Sequence, residues 1–351
     1  MDTLQLLKSF SEASGAAGHE DAVRAVLETA WSPWVSDLRT DALGNLIGLK
    51  HGSAPAPRRT IMVAVHMDEI GLIVTGFEGE FLRVHSLGGM DRRVLLGLEV
   101  TVHGRSELPG IIGNRPPHVL PATERNKIPP WQDLFIDLGL PPEQVQSMVR
   151  VGDHVTVNRP LVELKNQQVA AKAMDNRASI VTATLALEML SQRSHAWDVA
   201  TVATVQEEVG CKGAIVGAYA LAPQLAIAID VTFAKQHDDA GSGTFALGKG
   251  PTIGIGPNFH PDIVQRLSGV AQREEIPYEI EPVSGSSGTD AWSIQVAREG
   301  IPCGLICIPV RYMHQPVEVA SLRDIERAAR LLAAFIAGLQ ADYMPCWEDA
   351  Q

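Results

Sequence analysis

The chain has 351 residues, and at about 150 residues per domain this length favours two domains. With 45% hydrophobic and 20% charged residues, the composition is typical of a folded globular protein and excludes disordered, collagen-like and heptad-rich classes. The 41 acidic residues outnumber the 29 basic ones and give a formal net charge of -12, which disfavours binding to nucleic-acid phosphates or to a membrane surface.

The cysteines and the N-terminal residues bear on the cellular compartment. The four cysteines form no CxxC pattern, which predicts reduced thiols and not a disulfide scaffold. The first residues lack the basic and apolar regions of a signal peptide, and no stretch approaches the roughly 18 apolar residues of a membrane span. We therefore expect a cytoplasmic protein.

Residues 1–69 carry two predicted helices and the first strand of a covered sheet. Apolar residues recur at three- and four-residue spacing on both sides of a turn-rich segment at 14–18, which predicts two amphipathic helices. Short β segments follow and end near Leu49. The continuous apolar run 60–65 is typical of a strand buried on both faces, and it stops at His66.

Residues 70–164 differ in character and predict a second domain inserted into the first. This region contains short, β-branched segments separated by Gly or Asp turns, at 71–74, 81–84, 98–102 and 154–157. Such a pattern indicates a small β barrel or sandwich. A proline-rich loop between 116 and 130 interrupts it.

Residues 165–351 return to alternating strands and helices. After a helical period over 178–190, strands are predicted at 199–205, 225–229, near Tyr278 and at 304–309, with helices at 214–220, 262–274 and 291–298. The last helix opens with Ser321-x-x-Asp324, the pattern of a capping box. Strands and helices in alternation predict a doubly wound α/β domain, which residues 1–69 complete.

Polar side chains stand where predicted strands end. They are His66 and Asp68 after 60–65, Glu207 and Glu208 after 199–205, Asp230 after 225–229, His314 after 304–310, and Asp175 at the start of a helix. In open α/β sheets the ligand crevice lies outside the carboxyl ends of the strands, so we expect these side chains to converge.

A buried cluster of carboxylates is costly unless cations occupy it. Imidazole and carboxylate ligands without thiolate suit Zn²⁺, Co²⁺ or Mn²⁺, and a bridging carboxylate suits two ions about 3.5 to 4 Å apart. Because Glu207 and Glu208 are adjacent, their side chains diverge, and one can bind metal while the other acts as general base. Asp68 lies two residues from His66 and can hold its second nitrogen.

Six motifs occur in an order that resembles family 42 of the metallopeptidases, the TET-type, glutamyl or deblocking aminopeptidases, sometimes described as cellulase M. They are His66-Met67-Asp68-Glu69-Ile70-Gly71, Ala173-Met174-Asp175-Asn176-Arg177, Gln206-Glu207-Glu208-Val209-Gly210, Ala228-Ile229-Asp230-Val231-Thr232, Gly288-Thr289-Asp290-Ala291 and Arg311-Tyr312-Met313-His314. The resemblance extends along essentially the whole chain. One departure is Gln315, where the family pattern has serine before the proline.

The resemblance implies an α/β fold with a doubly wound mixed sheet flanked by helices, of the zinc-peptidase type, in residues 1–69 and 165–351. It implies that residues 70–164 form a small β-barrel dimerisation domain, and that dimers assemble into a tetrahedral dodecamer. It also implies a cis peptide after Asp175.

The same resemblance implies two divalent metal ions per chain, with Zn²⁺ expected first and Co²⁺ as the alternative. One ion would be held by His66, Asp175 and Asp230, and the other by Asp175, Glu208 and His314. Asp175 would bridge the ions, Glu207 would be the general base, and Asp68 would orient His66.

We therefore expect hydrolysis of the N-terminal peptide bond of short peptides by a metal-bridging hydroxide, with Glu207 as general base. An alternative is a metal-dependent amidase or deacylase acting on N-acyl amino acids, and a second is a non-catalytic assembly subunit.

Four further residues have open roles. Lys249 and Arg311 could favour acidic substrates or be surface charges. Asp290, in a Gly-rich loop, is a candidate substrate contact. His118 is either a surface histidine or one that reaches the active site of a partner subunit.

Overall fold

The computed structural model describes residues 1–123, 125–237 and 243–347. In chain order the strands are β1 (Asp37–Thr40), β2 (Leu46–Lys50), β3 (Thr60–His66), β4 (Gly71–Glu78), β5 (Phe81–Leu87), β6 (Glu99–His103), β7 (Glu107–Gly113), β8 (Phe135–Asp137), β9 (His154–Val157), β10 (Val162–Glu163), β11 (Gln168–Ala171), β12 (Asp198–Thr204), β13 (Leu225–Phe233), β14 (Thr252–Ile255), β15 (Glu279–Pro282), β16 (Cys303–Val310) and β17 (Glu318–Ser321). The helices are α1 (Thr3–Glu12), α2 (Asp21–Trp31), α3 (Pro142–Met148), α4 (Met174–Ser191), α5 (Lys212–Leu221), α6 (Pro261–Arg273), α7 (Asp290–Gln295) and α8 (Leu322–Ala337).

The long apolar runs of the sequence build one mixed sheet of eight strands. Its order is β1-β2-β12-β3-β13-β16-β14-β15. The four central strands β12, β3, β13 and β16 are parallel, while β2 and β14 run antiparallel to their neighbours β12 and β16. Almost every residue of the central strands is buried, as expected for a sheet covered on both faces. The predicted doubly wound mixed sheet is confirmed.

Two groups of helices cover this sheet. In the first, α4 packs against α1, α8 and β13, while in the second, α5 and α7 pack on each other and on central strands. Helix α4 has buried residues on every side, because it lies between the sheet and other helices. Among the described residues, none of the helices is long and apolar enough to cross a membrane.

The inserted region forms a closed barrel of six strands in the order β4-β5-β8-β7-β6-β9. It has its own apolar core, which includes Leu72, Leu82, Val102 and Ile136. The predicted proline-rich loop connects β7 to β8. Outside the barrel, β10, β11 and β17 form a small sheet that the sequence did not predict.

Two strand predictions were wrong in detail. Strand β13 continues to Phe233, because its pairing with β16 extends to Val310, so Asp230 lies within the strand and not after it. Strand β14 was missed: it is short, and it pairs antiparallel with β16 at the edge of the parallel block.

The predicted capping box at the start of α8 was also wrong. Ser321 makes no side-chain hydrogen bond to the helix. The Asp324 carboxylate instead accepts hydrogen bonds from the backbone N–H groups of Gly248 (2.6 Å) and Gly250 (2.7 Å). Gly250 has φ +110°, and a Cβ there would lie 1.8 Å from the carbonyl oxygen of Pro277, so only glycine fits this turn.

Candidate active site

The polar residues predicted to converge do meet at the carboxyl ends of the central parallel strands. His66 ends β3 and pairs in register with Thr204, the last residue of β12. Glu207 and Glu208 follow in the loop after β12, and Asp230 lies late in β13. All five residues therefore lie at one rim of the sheet.

The carboxylate of Asp175 lies between two groups of candidate metal ligands. Its Oδ1 is 3.0 Å from His66 Nε2, which is also 3.7 Å from Asp230 Oδ1. Its Oδ2 is 3.4 Å from His314 Nε2, which is also 3.6 Å from Glu208 Oε2. Within each group the donor atoms all lie within 4.8 Å of one another. Asp175 is the member common to both groups, and its peptide bond to Asn176 is cis.

These distances fit divalent metal ions. Ligand atoms about 2.0–2.1 Å from a tetrahedral zinc ion lie about 3.3 Å from one another, and the four imidazole–carboxylate distances run from 3.0 to 3.7 Å. Imidazole and carboxylate donors without sulfur also suit Co²⁺ and Mn²⁺. The donor set therefore fits two ions that share one carboxylate.

The charges of the site also favour cations. Burial raises the pKa of Glu207 to about 9, and burial together with the charge of Asp175 holds the pKa of Glu208 well above its usual value. Burial lowers the pKa of His66, but hydrogen bonds with Asp175 and Asp230 outweigh this and raise it. Protons thus partly neutralise the cluster, and bound cations would replace them.

Asp68 holds both the His66 imidazole and the loop that carries the two glutamates. Asp68 contacts His66 Nδ1 through its backbone oxygen at 3.2 Å and through its carboxylate Oδ1 at 3.5 Å. Its two carboxylate oxygens also accept hydrogen bonds from the backbone N–H groups of Glu207 (2.9 Å) and Glu208 (3.0 Å). Asp68 therefore fixes a candidate ligand and the candidate base relative to each other.

Sequence reasoning missed Glu318, which connects two candidate ligands. Its Oε2 accepts a hydrogen bond from the N–H of Asp175 (2.9 Å), and its Oε1 accepts one from the N–H of His314 (2.8 Å). Burial, followed by the charge of Asp175, holds the pKa of Glu318 well above its usual value. A lone acid in the otherwise uncharged strand β17 was the available signal.

The barrel also contributes to the site, which the sequence did not predict. Gly89 follows β5, and a Cβ on it would lie 2.7 Å from His314 Nδ1. The backbone of the inserted region therefore lies against the imidazole, and a larger residue at this position would displace it.

Left-handed backbone conformations surround the site. Non-glycine residues with positive φ beside the candidate ligands and base are Ala173 (56°), Gln206 (57°), Cys211 (51°), Tyr312 (64°) and His314 (61°). Such conformations cost energy and cluster at functional sites. The backbone N–H of His314 donates a hydrogen bond to Glu318. This bond fixes the backbone next to Gln315, where the sequence departs from the family pattern.

A cavity of about 470 Å³ opens beside these residues. It is lined by His66, Asp175, Glu207, Glu208, Cys211, Asp230, Val231, Thr232, Phe233, Glu281, Ser286, Ser287, Gly288, Thr289, Trp292, Met313 and His314. Within the described part of the chain, no lysine or arginine lines it. Its walls are therefore strongly acidic.

None of the four residues whose roles were left open lines the cavity. Lys249 is exposed and Arg311 donates to the backbone oxygen of Lys235 at 2.7 Å, and neither lines the cavity. His118 is exposed on the loop between β7 and β8. Asp290 is buried beneath the cavity wall, at the start of α7.

Comparison with known proteins identifies the family. A family model described as M42 glutamyl aminopeptidase matches residues 44–331. The chain belongs to this family. As an M42 member it is a metal-dependent aminopeptidase, and thus a hydrolase.

Individual M42 relatives match nearly the full chain. A lysyl aminopeptidase of Pyrococcus furiosus is 34% identical and is matched over 97% of this chain and 99% of its own length. The solved aminopeptidase APDkam598 of Desulfurococcus kamchatkensis is 38% identical, with a TM-score of 0.89 over 99% of this chain and 96% of that one. The TET1 peptidase of Pyrococcus horikoshii, described as able to form a tetrahedron or a large octahedral shell, is 31% identical, with a TM-score of 0.84 over 96% of this chain and 100% of that one.

Proposed function

We propose that this chain is a dinuclear metallo-aminopeptidase that hydrolyses the N-terminal peptide bond of short peptides. One observation carries the proposal: the two oxygens of Asp175 face two different histidines, His66 at 3.0 Å and His314 at 3.4 Å. A single carboxylate shared in this way suits a pair of ions. His66 and Asp230 would complete one ligand set, and Glu208 and His314 the other.

The chemistry needs a nucleophile and a proton carrier. Two bound cations would make a water molecule acidic enough to attack at neutral pH and would polarise the scissile carbonyl. Glu207 belongs to neither ligand group and lines the cavity beside them. Its carboxylate would accept the proton of the attacking water and return it to the leaving amine.

Two other acids position this machinery. Asp68 holds the backbone of Glu207 and Glu208 through two hydrogen bonds, and Glu318 holds the backbone of Asp175 and His314 through two more. Preorganised groups of this kind need no rearrangement when charge develops during the reaction.

The acidic cavity favours a positively charged N-terminal residue. Asp175, Glu208 and Asp230 would be neutralised by the two cations, so Glu281, which lies outside the ligand groups, is the acid left to attract a cationic side chain. The Glu281 carboxylate is held by the hydroxyls of Thr232 (2.7 Å) and Thr252 (2.5 Å). We infer a preference for lysine or arginine over glutamate or aspartate, in keeping with the name of the lysyl aminopeptidase relative.

We further propose that the chain forms homo-oligomers in the cytoplasm, with the barrel of residues 70–164 as the dimer contact and dimers joined into a tetrahedral dodecamer. The barrel exposes several large apolar side chains, namely Leu96, Ile111, Val119, Ile128 and Val151. Leu96 and Ile128 line one groove of the barrel together with Leu120, Pro129 and Pro130, and contiguous exposed apolar surface is typical of a protein–protein interface.

A panel of aminoacyl anilides tests the activity. Substrates with free Lys, Arg, Leu, Glu or Asp are compared with N-acetylated Lys and Leu versions, using metal-loaded protein. We expect cleavage of the free-amine compounds only, with Lys and Arg fastest. Release of acetate from the N-acetylated compounds, without release of aniline from the free-amine compounds, would indicate a deacylase. No cleavage at all, with metal bound, would indicate a non-catalytic subunit.

A further inference from the structure

A second cluster of metal-binding side chains includes Glu207 and neither histidine of the ligand groups. Glu207, Cys211 and Asp290 each offer a ligand atom, and these atoms lie within 4.8 Å of one another. The Cys211 thiol donates a hydrogen bond to Glu207 Oε1 at 3.2 Å. Cys211 and Glu207 both line the cavity, so an ion could enter from solvent.

A second, independent observation is that one oxygen of the buried Asp290 carboxylate lacks a hydrogen-bond partner among the described residues. Asp290 is only 2% exposed, and its Oδ2 accepts a hydrogen bond from the Thr204 hydroxyl at 2.5 Å. Its Oδ1 is buried and has no hydrogen-bond partner among the residues that the structure describes. An unpaired buried carboxylate oxygen is costly, and a cation held with Cys211 and Glu207 would remove this cost.

The donor set selects the kind of ion. A thiolate with two carboxylates suits thiophilic divalent ions such as Zn²⁺ and Cd²⁺, and it suits Mg²⁺ or Ca²⁺ poorly. The two ligand groups around Asp175 contain no sulfur. The cluster therefore differs from them in chemistry as well as in place.

We propose that Glu207, Cys211 and Asp290 form a third, inhibitory site for a thiophilic divalent cation. Binding forms a metal–sulfur bond, and the thiol proton is released to solvent. The bound ion occupies the Glu207 carboxylate, so that it can no longer accept a proton. This inhibitory effect rests on the proposed role of Glu207, whereas binding itself does not.

The test is a titration of the metal-loaded protein with Cd²⁺, followed by ultraviolet absorbance and peptidase activity. A cadmium–thiolate bond gives a charge-transfer band that the sulfur-free sites cannot produce. We expect the band to grow as activity falls. In Cys211→Ser the band should be lost, and half-inhibition should need at least about tenfold more Cd²⁺, which corresponds to about 1.4 kcal/mol of binding.

Two further variants test whether the response depends on Cys211 and on Asp290. Cys346→Ser removes another partly exposed thiol and should behave as wild type. Asp290→Asn keeps the thiol and should weaken the cadmium response. A band that is absent in wild type, or unchanged in Cys211→Ser, would overturn the proposal. A Cys211-dependent band in a protein without peptidase activity would support the site and contradict the proposed function.

Discussion

Among single residues, Glu207 carries the proton transfer in the proposed mechanism. We expect Glu207→Gln to lower kcat by about 10² to 10⁴, the usual contribution of a general base. Metal content at two equivalents of added metal should stay near that of wild type, because Glu207 belongs to neither of the two ligand groups around Asp175. The comparison needs steady-state kinetics and metal analysis on the same preparations. Turnover within about threefold of wild type would remove Glu207 from the mechanism.

A second residue-scale prediction concerns specificity. If Glu281 attracts a cationic N-terminal side chain, Glu281→Gln should lower kcat/KM for Lys substrates relative to Leu substrates by about tenfold, the equivalent of about 1.4 kcal/mol. Glu279→Gln, an exposed acid two residues earlier on β15, is the matched control and should leave the ratio unchanged. An unchanged Lys-to-Leu ratio in Glu281→Gln would place the specificity elsewhere.

Most of the site could be predicted at this scale, and the reason is local. His66, Glu207 and Glu208 stand directly after apolar runs, so a linear pattern marks them. The position of Glu318 could not be predicted, because its hydrogen bonds to Asp175 and His314 join segments 143 and 4 residues away that meet only in the folded chain. The same holds for Gly89, whose contact with His314 depends on how the barrel docks.

Among the elements, the start of α8 shows that a short sequence pattern can predict a hydrogen bond that the folded chain does not make. The Ser321-x-x-Asp324 spacing predicted a capping box, but the tertiary structure uses Asp324 to hold the turn at Gly248 and Gly250. We expect Asp324→Asn to lower the free energy of unfolding by about 1.5–3 kcal/mol, as for hydrogen bonds to a charged group. Denaturant titration measures this.

Ser321→Ala is the matched control for that measurement. Ser321 makes no capping bond, and its buried hydroxyl has no partner among the described residues. We therefore expect a change below about 0.5 kcal/mol. A larger loss in Ser321→Ala than in Asp324→Asn would restore the capping box.

A stack of three histidines joins the barrel to the first domain. His154 on β9 stacks on His19 at 4.1 Å and on His103 of β6 at 4.2 Å between ring centroids. Burial, with the two neighbouring imidazoles, lowers the pKa of His154 to about 3, and burial also lowers the pKa of His103. The charged groups facing the stack are Glu107, Glu69 and Lys172.

This stack predicts a loss of stability in acid. Since the pKa of His154 is lower in the folded chain than the ordinary 6.5, the unfolded chain takes up the proton first. The contribution of neutral His154 to the free energy of unfolding is fully present above about pH 6.5 and is lost as the pH decreases towards 3. The melting temperature should drop between about pH 7 and pH 5, and His154→Gln should reduce that drop. The exposed His118→Gln is the control, and an equal drop in both variants would contradict the prediction.

The overall architecture could be predicted because the sequence contains four long apolar runs, which form β3, β12, β13 and β16. Such runs fit only the centre of a sheet that is covered on both faces. The elements that escaped prediction are short. Strands β10 and β17 lie at the edges of the small sheet, and β14 lies between β16 and β15, outside the block of central parallel strands. Their pairing partners, not their own residues, make them strands.

At the scale of the whole molecule, metal and fold are coupled. The cluster around Asp175 brings at least five carboxylates together with two imidazoles, and cations relieve the repulsion only in the folded chain. Bound metal therefore stabilises the native state.

Activity measured against metal content distinguishes a metal pair from a single ion. The protein is stripped by a chelator, Zn²⁺ or Co²⁺ is returned in known equivalents, and hydrolysis of a free-amine Lys substrate and the melting temperature are followed together. The proposed metal pair predicts no activity without metal and a rise in both quantities up to two ions per chain, and a further Zn²⁺ ion at the proposed third site should then lower activity. Full activity in the stripped protein, or a plateau at one ion, would contradict a metal pair shared by Asp175.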